Sequence, residues 1–170
     1  MQSQPEKSVI TYRPMAVKDV PRVREIDVLS FSMPWSERSY RFELIENTHS
    51  VDWVAEINRP ETAAEVIGMT VLWVIVDEAH IATLAVHPDY RGLGIGKRLL
   101  ARALLAAYQR GARLAYLEVR RSNHVAQGLY QQFGFTIAGE RKRYYQDNNE
   151  DALLMTLDHL QPDTLDLLAV

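Results

Sequence analysis

Three glycines at alternate positions separate a strand-like segment from a helical one. Gly92, Gly94 and Gly96 follow the apolar run that ends at Val86, and Lys97 comes next. A helix start carries unpaired backbone N–H groups and the positive end of the helix dipole. Glycine has no Cβ to hold a ligand away from those groups. The spacing therefore predicts a site where a phosphate group approaches the main chain closely.

This loop departs from two familiar phosphate-binding motifs. A P-loop would require Ser or Thr after Gly96-Lys97, where the chain has Arg98, and the dinucleotide-binding fingerprint requires a different glycine spacing. The pattern that fits is Arg-x-x-Gly-x-Gly, formed by Arg91, Gly94 and Gly96. A plain strand-to-helix turn stays open as an alternative, because glycine-rich turns before helices are common.

A carboxylate lies near the end of a strand that follows the glycine loop along the chain. Glu118 alternates with apolar residues in the predicted strand from Leu114 to Arg120. At a strand end beside a cleft, it could take a proton from an attacking amine. The alternatives are a surface glutamate or a salt bridge with Arg120 or Arg121.

A tyrosine follows on the next predicted helix. Asn123 is the expected N-cap of that helix, and Tyr130, seven residues later, falls on nearly the same side. A tyrosine hydroxyl there could protonate a departing thiolate, a reasonable leaving group because thiol pKa values lie near ~8.5. A core tyrosine with a satisfied hydroxyl is the alternative.

Other chemistries find little support in the residue types. Cysteine is absent, which removes disulfides, thiolate metal ligands and a cysteine nucleophile. No pair of histidines has metal-ligand spacing on one element, so we predict no metal site. No serine has the sequence setting of an activated nucleophile. The five histidines are His49, His80, His87, His124 and His159.

Composition and charge are those of an ordinary globular protein. The 170 residues are 47% hydrophobic and 24% charged, with a formal net charge of −3. That charge argues against nucleic-acid binding driven by bulk electrostatics, although basic residues cluster around the glycine loop. No apolar run has membrane-spanning length and no signal-peptide core is apparent, so we expect a cytoplasmic protein without a membrane partner.

The hydrophobic patterns predict an α+β fold. A central mixed, mostly antiparallel sheet of about six to seven strands, with one parallel pair, is flanked by about four helices. Gly68 marks a possible kink in one strand. The predicted strands are 8–13, 50–57, 65–76, 79–86, 114–120, 135–142 and 152–158, and the predicted helices are 18–31, 36–47, the glycine turn to 111, and 123–133.

The predicted domain organisation is simple. Residues 1–8 are expected to be flexible, 9–160 to form one domain, and 161–170 to form a C-terminal tail. The tail contains Leu165, Leu167 and Leu168, which could pack on the domain or on a partner.

Several segments occur together in an order that resembles the GNAT superfamily of N-acetyltransferases. The resemblance covers roughly residues 10–160. A narrower match resembles bacterial members that acetylate the N-terminal alanine of a small-subunit ribosomal protein. The segments are Leu84-Ala85-Val86, Arg91 to Lys97, Leu117 to Asn123 and Leu129 to Phe135, with Met33 to Glu37, Arg143-Tyr144-Tyr145 and Glu150 to Ala152 carrying the narrower match.

The resemblance implies a role for each matching residue. Glu118 would be the general base and Tyr130 the general acid, and Trp35, Tyr144 and Tyr145 would bind the peptide substrate. The residues that it assigns to the cofactor are Leu84, Ala85, Val86, Arg91, Gly92, Leu93, Gly94, Ile95, Gly96, Lys97 and Asn123.

The function expected from this resemblance is acetyl transfer from acetyl-CoA, without a metal, to the N-terminal amine of a protein. Direct attack by the amine needs no covalent enzyme intermediate. An α-amine titrates near ~7.7–8.0 and lysine near ~10.4, so one carboxylate can deprotonate an α-amine at modest cost. Acetylation of a small amine or a lysine side chain, and a non-catalytic acyl-CoA-binding module, stay open as alternatives. The oligomeric state is open between monomer and homodimer.

Overall fold

A seven-stranded mixed sheet runs through the centre of the protein in the computed structural model, which describes residues 8–170. The strand order across the sheet is β1-β2-β3-β4-β5-β7-β6, and β4 and β5 form the parallel pair. The segment predicted to be flexible, 1–8, lies outside the described residues except for Ser8. The strands are β1 Val9–Pro14, β2 Ser50–Asn58, β3 Glu65–Ile75, β4 Glu78–Val86, β5 Leu114–Arg120, β6 Thr136–Tyr145 and β7 Glu150–Leu157.

Five α-helices surround this sheet in the part of the chain that the structure describes. They are α1 Val20–Ser30, α2 Glu37–Ile45, α3 Ile95–Gln109, α4 His124–Gln132 and α5 Pro162–Ala169. Ser36 caps α2, as predicted, because its side chain accepts a hydrogen bond from Ser39 N–H. The sheet and the first four helices confirm the predicted fold class.

The helices cover the two faces of the sheet with separate apolar clusters. On one face, Ile26 of α1 and Tyr40 of α2 pack with Met69 of β3. On the other, Leu100 and Leu104 of α3 pack with residues of β3, β4 and β5. Alternation of side chains along the strands supplies both faces from the same segments.

The C-terminal tail is a helix packed on the domain. Leu165 is buried at 2% exposure and joins the core cluster of α3, whereas Leu167 is 78% exposed. Arg102 donates a hydrogen bond to Ala169 O and Arg98 donates one to Val170 O, which satisfies carbonyls at the helix end. The leucines of the tail therefore divide between the domain core and the surface.

Strand β4, in the middle of the sheet, contains a bulge. Val71 of β3 pairs with Thr83 and Leu72 pairs with Ile81, so Ala82 is an extra residue on β4. A bulge bends its strand and increases the local twist. The parallel pairing of β4 with β5 covers only 78–81 and 114–117. Beyond Ile81 the two strands diverge and leave a gap between them.

The kink predicted at Gly68 coincides with a second register shift. Gly68 pairs with Ala55 and Val66 with Glu56, which leaves Ile67 as the extra residue. A Cβ added at Gly68 would lie 3.3 Å from Ala85 O, tighter than most contacts of this kind. A glycine at this position lets β3 lie close to the end of β4.

The last hairpin departs from the predicted boundaries. β6 continues to Tyr145 instead of ending at Lys142, and β7 begins at Glu150 instead of Ala152. Arg143 has a positive φ of 53°, and its N–H donates to the Asp151 carboxylate within an irregular part of the ladder. This side-chain contact carries the strand past the charged residues where the apolar pattern stops.

Candidate active site

The gap between β4 and β5 opens into a cleft of about 560 Å³, which we call the central cleft. β4 contributes Thr83 and Leu84 to its lining, and β5 contributes Glu118. Asn123 and Tyr130 of the α4 region close another side. The predicted catalytic residues and the end of the apolar strand are thus brought together in one cavity.

Main-chain groups of β4 point into this gap at alternate residues. His87 N–H donates to Ile67 O at 2.8 Å, so the N–H groups of residues 85 and 83 also face β3. The N–H groups of Leu84 and Val86 consequently face the cleft. Ala85, which was also predicted to contact the cofactor, turns its main chain to β3 and has a buried side chain.

The glycine loop leads directly into α3. Gly92 and Gly94 have φ values of 79° and 74°, a left-handed conformation that favours glycine. The first main-chain hydrogen bond of α3 runs from Arg98 N–H to Gly94 O. The N–H groups of the three residues between them, 95–97, have no acceptor within the helix, as an anion-binding helix start requires.

Two arginines hold this loop in place. Arg91 donates from Nε to Val86 O at 2.9 Å and from Nη2 to Ser30 Oγ at 3.1 Å. Arg98 donates from Nη1 to Leu93 O at 3.1 Å. The Arg91 guanidinium therefore joins the loop to β4 and α1 through contacts that need no ligand.

Glu118 lies in the cleft with its side chain 34% exposed. The salt bridge considered with Arg120 or Arg121 is wrong, because those arginines pair with carboxylates from the last hairpin. The nearest cation is Arg141, whose Nη1 lies 3.7 Å from Glu118 Oε1. Glu118 therefore pairs loosely with an arginine of β6 and not with Arg120 or Arg121.

Tyr130 is buried at 8% exposure, and its ring lies 5.8 Å from that of Phe135. Burial, with a smaller contribution from Tyr145, raises the pKa of the Tyr130 hydroxyl above its usual value. The hydroxyl therefore stays protonated at physiological pH and can donate a proton. Asn123 caps α4 as predicted, since its Oδ1 accepts from Ala126 N–H at 3.1 Å.

The three residues predicted to bind a peptide differ in position. Trp35 and Tyr145 both line the central cleft, whereas Tyr144 is absent from its lining and is 42% exposed. Tyr144 packs edge-on against Tyr145, with ring centroids 5.2 Å apart. Trp35 stacks on Trp73 at 6.3 Å. Burial raises the pKa of Tyr145 to about 12, so its hydroxyl is neutral.

Sequence reasoning missed the charged residues of the cleft other than Glu118. Asp27 is 1% exposed on α1 and accepts Trp35 N–H at 2.6 Å, which fixes the loop before α2. Arg120 lines the cleft two residues after Glu118 and pairs with Asp147 and Glu150. A carboxylate on the apolar face of a predicted helix was the available signal for Asp27.

Neither a metal cluster nor a membrane-spanning helix is found within the described residues. Across residues 8–170, no three His, Cys, Asp or Glu side chains are grouped as a metal ion requires. In the same range, no helix has both the length and the apolar composition needed to cross a bilayer.

The site thus combines a mixed sheet split at one parallel pair with a glycine-led helix start and a cleft that holds Glu118 and Tyr130. Residues 20–135 match the acetyltransferase (GNAT) family, and the chain belongs to that family.

The most informative relatives are bacterial N-acetyltransferases. A protein of Bacillus subtilis with the provisional name [ribosomal protein bS18]-alanine N-acetyltransferase is 40% identical over 149 residues, covering 88% of this chain and 95% of the relative. The [ribosomal protein bS18]-alanine N-acetyltransferase of Escherichia coli K12 is 30% identical over 158 residues, covering 86% and 96%.

Solved structures agree with this grouping. The crystal structure of the ribosomal-protein-S18-alanine N-acetyltransferase from Escherichia coli superimposes with a TM-score of 0.76 at 29% identity, covering 90% of this chain and 96% of that one. The NatC complex bound to a Gag peptide and CoA gives a TM-score of 0.78 at 27% identity, covering 89% and 99%. Both neighbours and this chain share one fold, and the chain is an N-acetyltransferase.

Proposed function

We propose that this enzyme transfers the acetyl group of acetyl-CoA to the α-amine of the alanine that begins a ribosomal protein, in the cytoplasm. The relatives named for this reaction cover most of the chain. The observation that carries the mechanism is the placement of Glu118 and Tyr130 in one cleft, beside the free main-chain groups of β4.

Acetyl-CoA would bind along the gap between β4 and β5. The free N–H groups of residues 95–97 would hold its diphosphate, since a helix start attracts anions. The main chain of Leu84 and Val86 would pair with the pantetheine arm. One of these N–H groups would stabilise the negative charge that develops on the thioester oxygen. The neighbouring NatC structure contains CoA, which supports CoA binding by a chain of this fold.

The reaction would proceed by direct attack. The amine nitrogen forms a bond to the acetyl carbon, and Glu118 accepts the proton that the nitrogen loses, directly or through one water. The carbon–sulfur bond then breaks, and the sulfur leaves with its electron pair. Tyr130 donates its proton to that sulfur, so the products are an acetylated amine and CoA. Orientation of the two substrates supplies much of the rate.

An α-amine suits this site better than a lysine side chain. Its pKa is near ~7.7–8.0 against ~10.4 for lysine, so a larger fraction is neutral and nucleophilic at physiological pH. Trp35 and Tyr145 line the same cleft and offer aromatic surface to a peptide backbone. A protein N-terminus is therefore the acceptor that this cleft fits best.

The test is a mass-spectrometric assay with acetyl-CoA and one peptide that begins with alanine and contains an internal lysine. We expect acetyl on the α-amine. A matched peptide with a blocked N-terminus should not react. Acetylation confined to lysine would overturn the N-terminal assignment, and acetylation only of small amines in a parallel panel would indicate a different acceptor class. Absence of turnover on every amine would indicate an acyl-CoA-binding module.

A further inference from the structure

Arg120 and four surrounding side chains join three segments at one end of the central cleft. Arg120 donates to Asp147 Oδ2 at 2.7 Å and to Asn148 Oδ1 at 3.1 Å, both in the turn between β6 and β7. It also donates to Glu150 Oε2 at 3.1 Å. Ser32, in the loop between α1 and α2, donates to the same Asp147 oxygen at 2.5 Å. We call these residues the Arg120 cluster.

The cluster also fixes the aromatic wall of the cleft and the start of α4. The Arg120 guanidinium lies 3.9 Å from the centroid of the Tyr145 ring. Glu150 accepts Ser122 N–H with its other oxygen at 2.7 Å, directly before the helix that carries Tyr130. One arginine therefore positions a loop, an aromatic side chain and a helix start together.

The cluster carries one positive and two negative charges at neutral pH. Hydrogen bonds from Ser122 and the Arg120 guanidinium lower the pKa of Glu150 to about 2, and Ser32 and Arg120 also lower the pKa of Asp147. All three charged side chains are less than a quarter exposed. Charge-assisted hydrogen bonds of this kind hold their geometry better than neutral contacts.

The cluster lies where the first side chain of an acceptor peptide would go. Glu118 and Arg120 are two residues apart on β5 and share a face, which separates them by roughly 7 Å. If the α-amine reacts beside Glu118, the side chain of the same residue meets Arg120 and Tyr145. Ser32 touches Asp147 directly, so a large side chain would have to push the two loops apart.

Resting on the function proposed above, we propose that the Arg120 cluster selects acceptors whose first residue is small. The contact between Ser32 and Asp147 closes the cleft at that end, and Arg120 holds both partners of the contact. Arg120 is in this view a positioning and specificity residue, distinct from the proton-transferring Glu118 and Tyr130.

The experiment compares Arg120→Met with Arg121→Met in steady-state assays. Arg121 is the next residue, is 50% exposed and pairs with Glu140 outside the cleft, so its removal is a matched loss of one arginine. Two peptides are used, identical except for alanine or leucine at the first position. Asp147→Asn is a second variant, which keeps the side-chain shape while removing the charge.

For Arg120→Met we expect KM for the alanine peptide to rise by about tenfold, and the ratio of kcat/KM for leucine over alanine to rise by about fivefold. KM for acetyl-CoA should stay within about twofold of the wild type. Asp147→Asn should also raise the ratio of kcat/KM for leucine over alanine. If Arg120→Met does not fold, Asp147→Asn provides the test in its place. Arg121→Met should match the wild type.

The outcomes separate this inference from the proposed function. If the wild type acetylates no α-amine, the function itself fails. If the wild type acetylates the alanine peptide but both cluster variants keep the wild-type preference for alanine over leucine, the selectivity inference fails. Equal increases in KM for peptide and acetyl-CoA would also overturn it, since they would indicate a general structural role.

Discussion

The two proposed proton-transfer residues differ in environment, and the difference fits their roles. Glu118 is partly exposed and lies 3.7 Å from the Arg141 guanidinium, whereas Tyr130 is buried and its pKa is raised by burial. A carboxylate open to the cleft is accessible to an incoming amine, and the neutral tyrosine hydroxyl keeps a proton that it can donate. These environments are consistent with the base and acid roles that we propose.

Substitution of either residue should slow the reaction without weakening cofactor binding. We expect Glu118→Gln and Tyr130→Phe each to lower kcat by about 10²-fold or more, because each removes one proton-transfer group. Steady-state assays of CoA release measure kcat, and calorimetry measures the Kd for acetyl-CoA.

Tyr116→Phe is the control, since Tyr116 also lies on β5 but is not part of the cleft lining. Unchanged turnover in both site variants would remove the roles assigned to Glu118 and Tyr130. A large loss of acetyl-CoA affinity would instead assign them to cofactor binding.

The Asp52 carboxylate should make the free energy of unfolding depend on pH. Burial raises the pKa of Asp52 on β2 from 3.8 to about 6, against one hydrogen bond from Ser50. Between these pH values the folded state holds a proton that the unfolded state has lost, so stability decreases as pH rises through this range.

Asp52→Asn should therefore be more stable than the wild type above pH 6, by roughly 1–2 kcal/mol after allowance for partial solvent screening. The difference should vanish near the unfolded pKa. Urea unfolding across this pH range measures it. If Asp52→Asn were less stable than the wild type at all pH values, the negative charge of Asp52 would not be destabilised by burial.

At the residue scale, sequence reasoning could find the members of the site but not their partners. Glu118 and Asn123 follow from strand and helix patterns, and the cap at Asn123 is confirmed. The Arg120 cluster could not be predicted, because Ser32 is 88 positions away from Arg120 and Asp147 is 27 away. Contacts of that separation depend on the folded sheet and leave no local pattern.

Among the elements, the start of α3 depends most on backbone conformation. Gly94 is the N-cap of the helix with φ of 74°, and a Cβ there would also lie 3.2 Å from the Arg98 side chain. An L-residue in this conformation costs about 1 kcal/mol or more. A shift of the loop would move the N–H groups that the cofactor diphosphate needs.

We therefore expect Gly94→Ala to raise the Kd for acetyl-CoA by about tenfold, with little effect on KM for the peptide. Gly139→Ala is the control, because Gly139 lies on β6 without a positive φ and its added Cβ would make only an ordinary contact. Calorimetry with each variant makes the comparison. Equal affinities in both variants would show that the loop conformation is not required.

The C-terminal helix α5 should contribute to stability through one face only. Leu165→Ala removes a side chain that is 2% exposed in the core cluster, and we expect a loss of about 2–4 kcal/mol in the free energy of unfolding. Leu167→Ala, at a residue 78% exposed, should change it by less than about 0.5 kcal/mol. Chemical denaturation tests both. If both substitutions changed the free energy of unfolding by similarly small amounts, Leu165 would not pack in the core as described.

At the scale of the whole molecule, the sequence predicts the strands of the sheet well, but it does not predict the gap between β4 and β5. Apolar or alternating segments identify the strands, and the helix between β4 and β5 implies their parallel pairing, which is confirmed. The bulge at Ala82 has no such signal, since residues 79–86 contain no glycine or proline that would mark an irregularity. Register shifts depend on how neighbouring strands pair, so the central cleft appears only in three dimensions.

The C-terminal tail and the β6–β7 hairpin also depend on tertiary contacts that the local sequence does not reveal. Leu165 and Leu168 give an apolar spacing typical of a helix, but only the surface of α3 decides that the segment packs there. Likewise, β6 extends past its apolar part because Asp151 binds the backbone of Arg143. Tertiary contacts override local preference at both places.

The central claim is that one cleft, between β4 and β5, holds acetyl-CoA and an α-amine in line. A crystal structure with CoA linked through its sulfur and an acetyl bridge to the α-nitrogen of an alanine peptide tests it most directly. We expect the diphosphate on the N–H groups of residues 95–97, the nitrogen within reach of Glu118 directly or through one water, and the sulfur facing Tyr130. A linker that lies outside this cleft, or a peptide that leaves away from Trp35 and Tyr145, would contradict it.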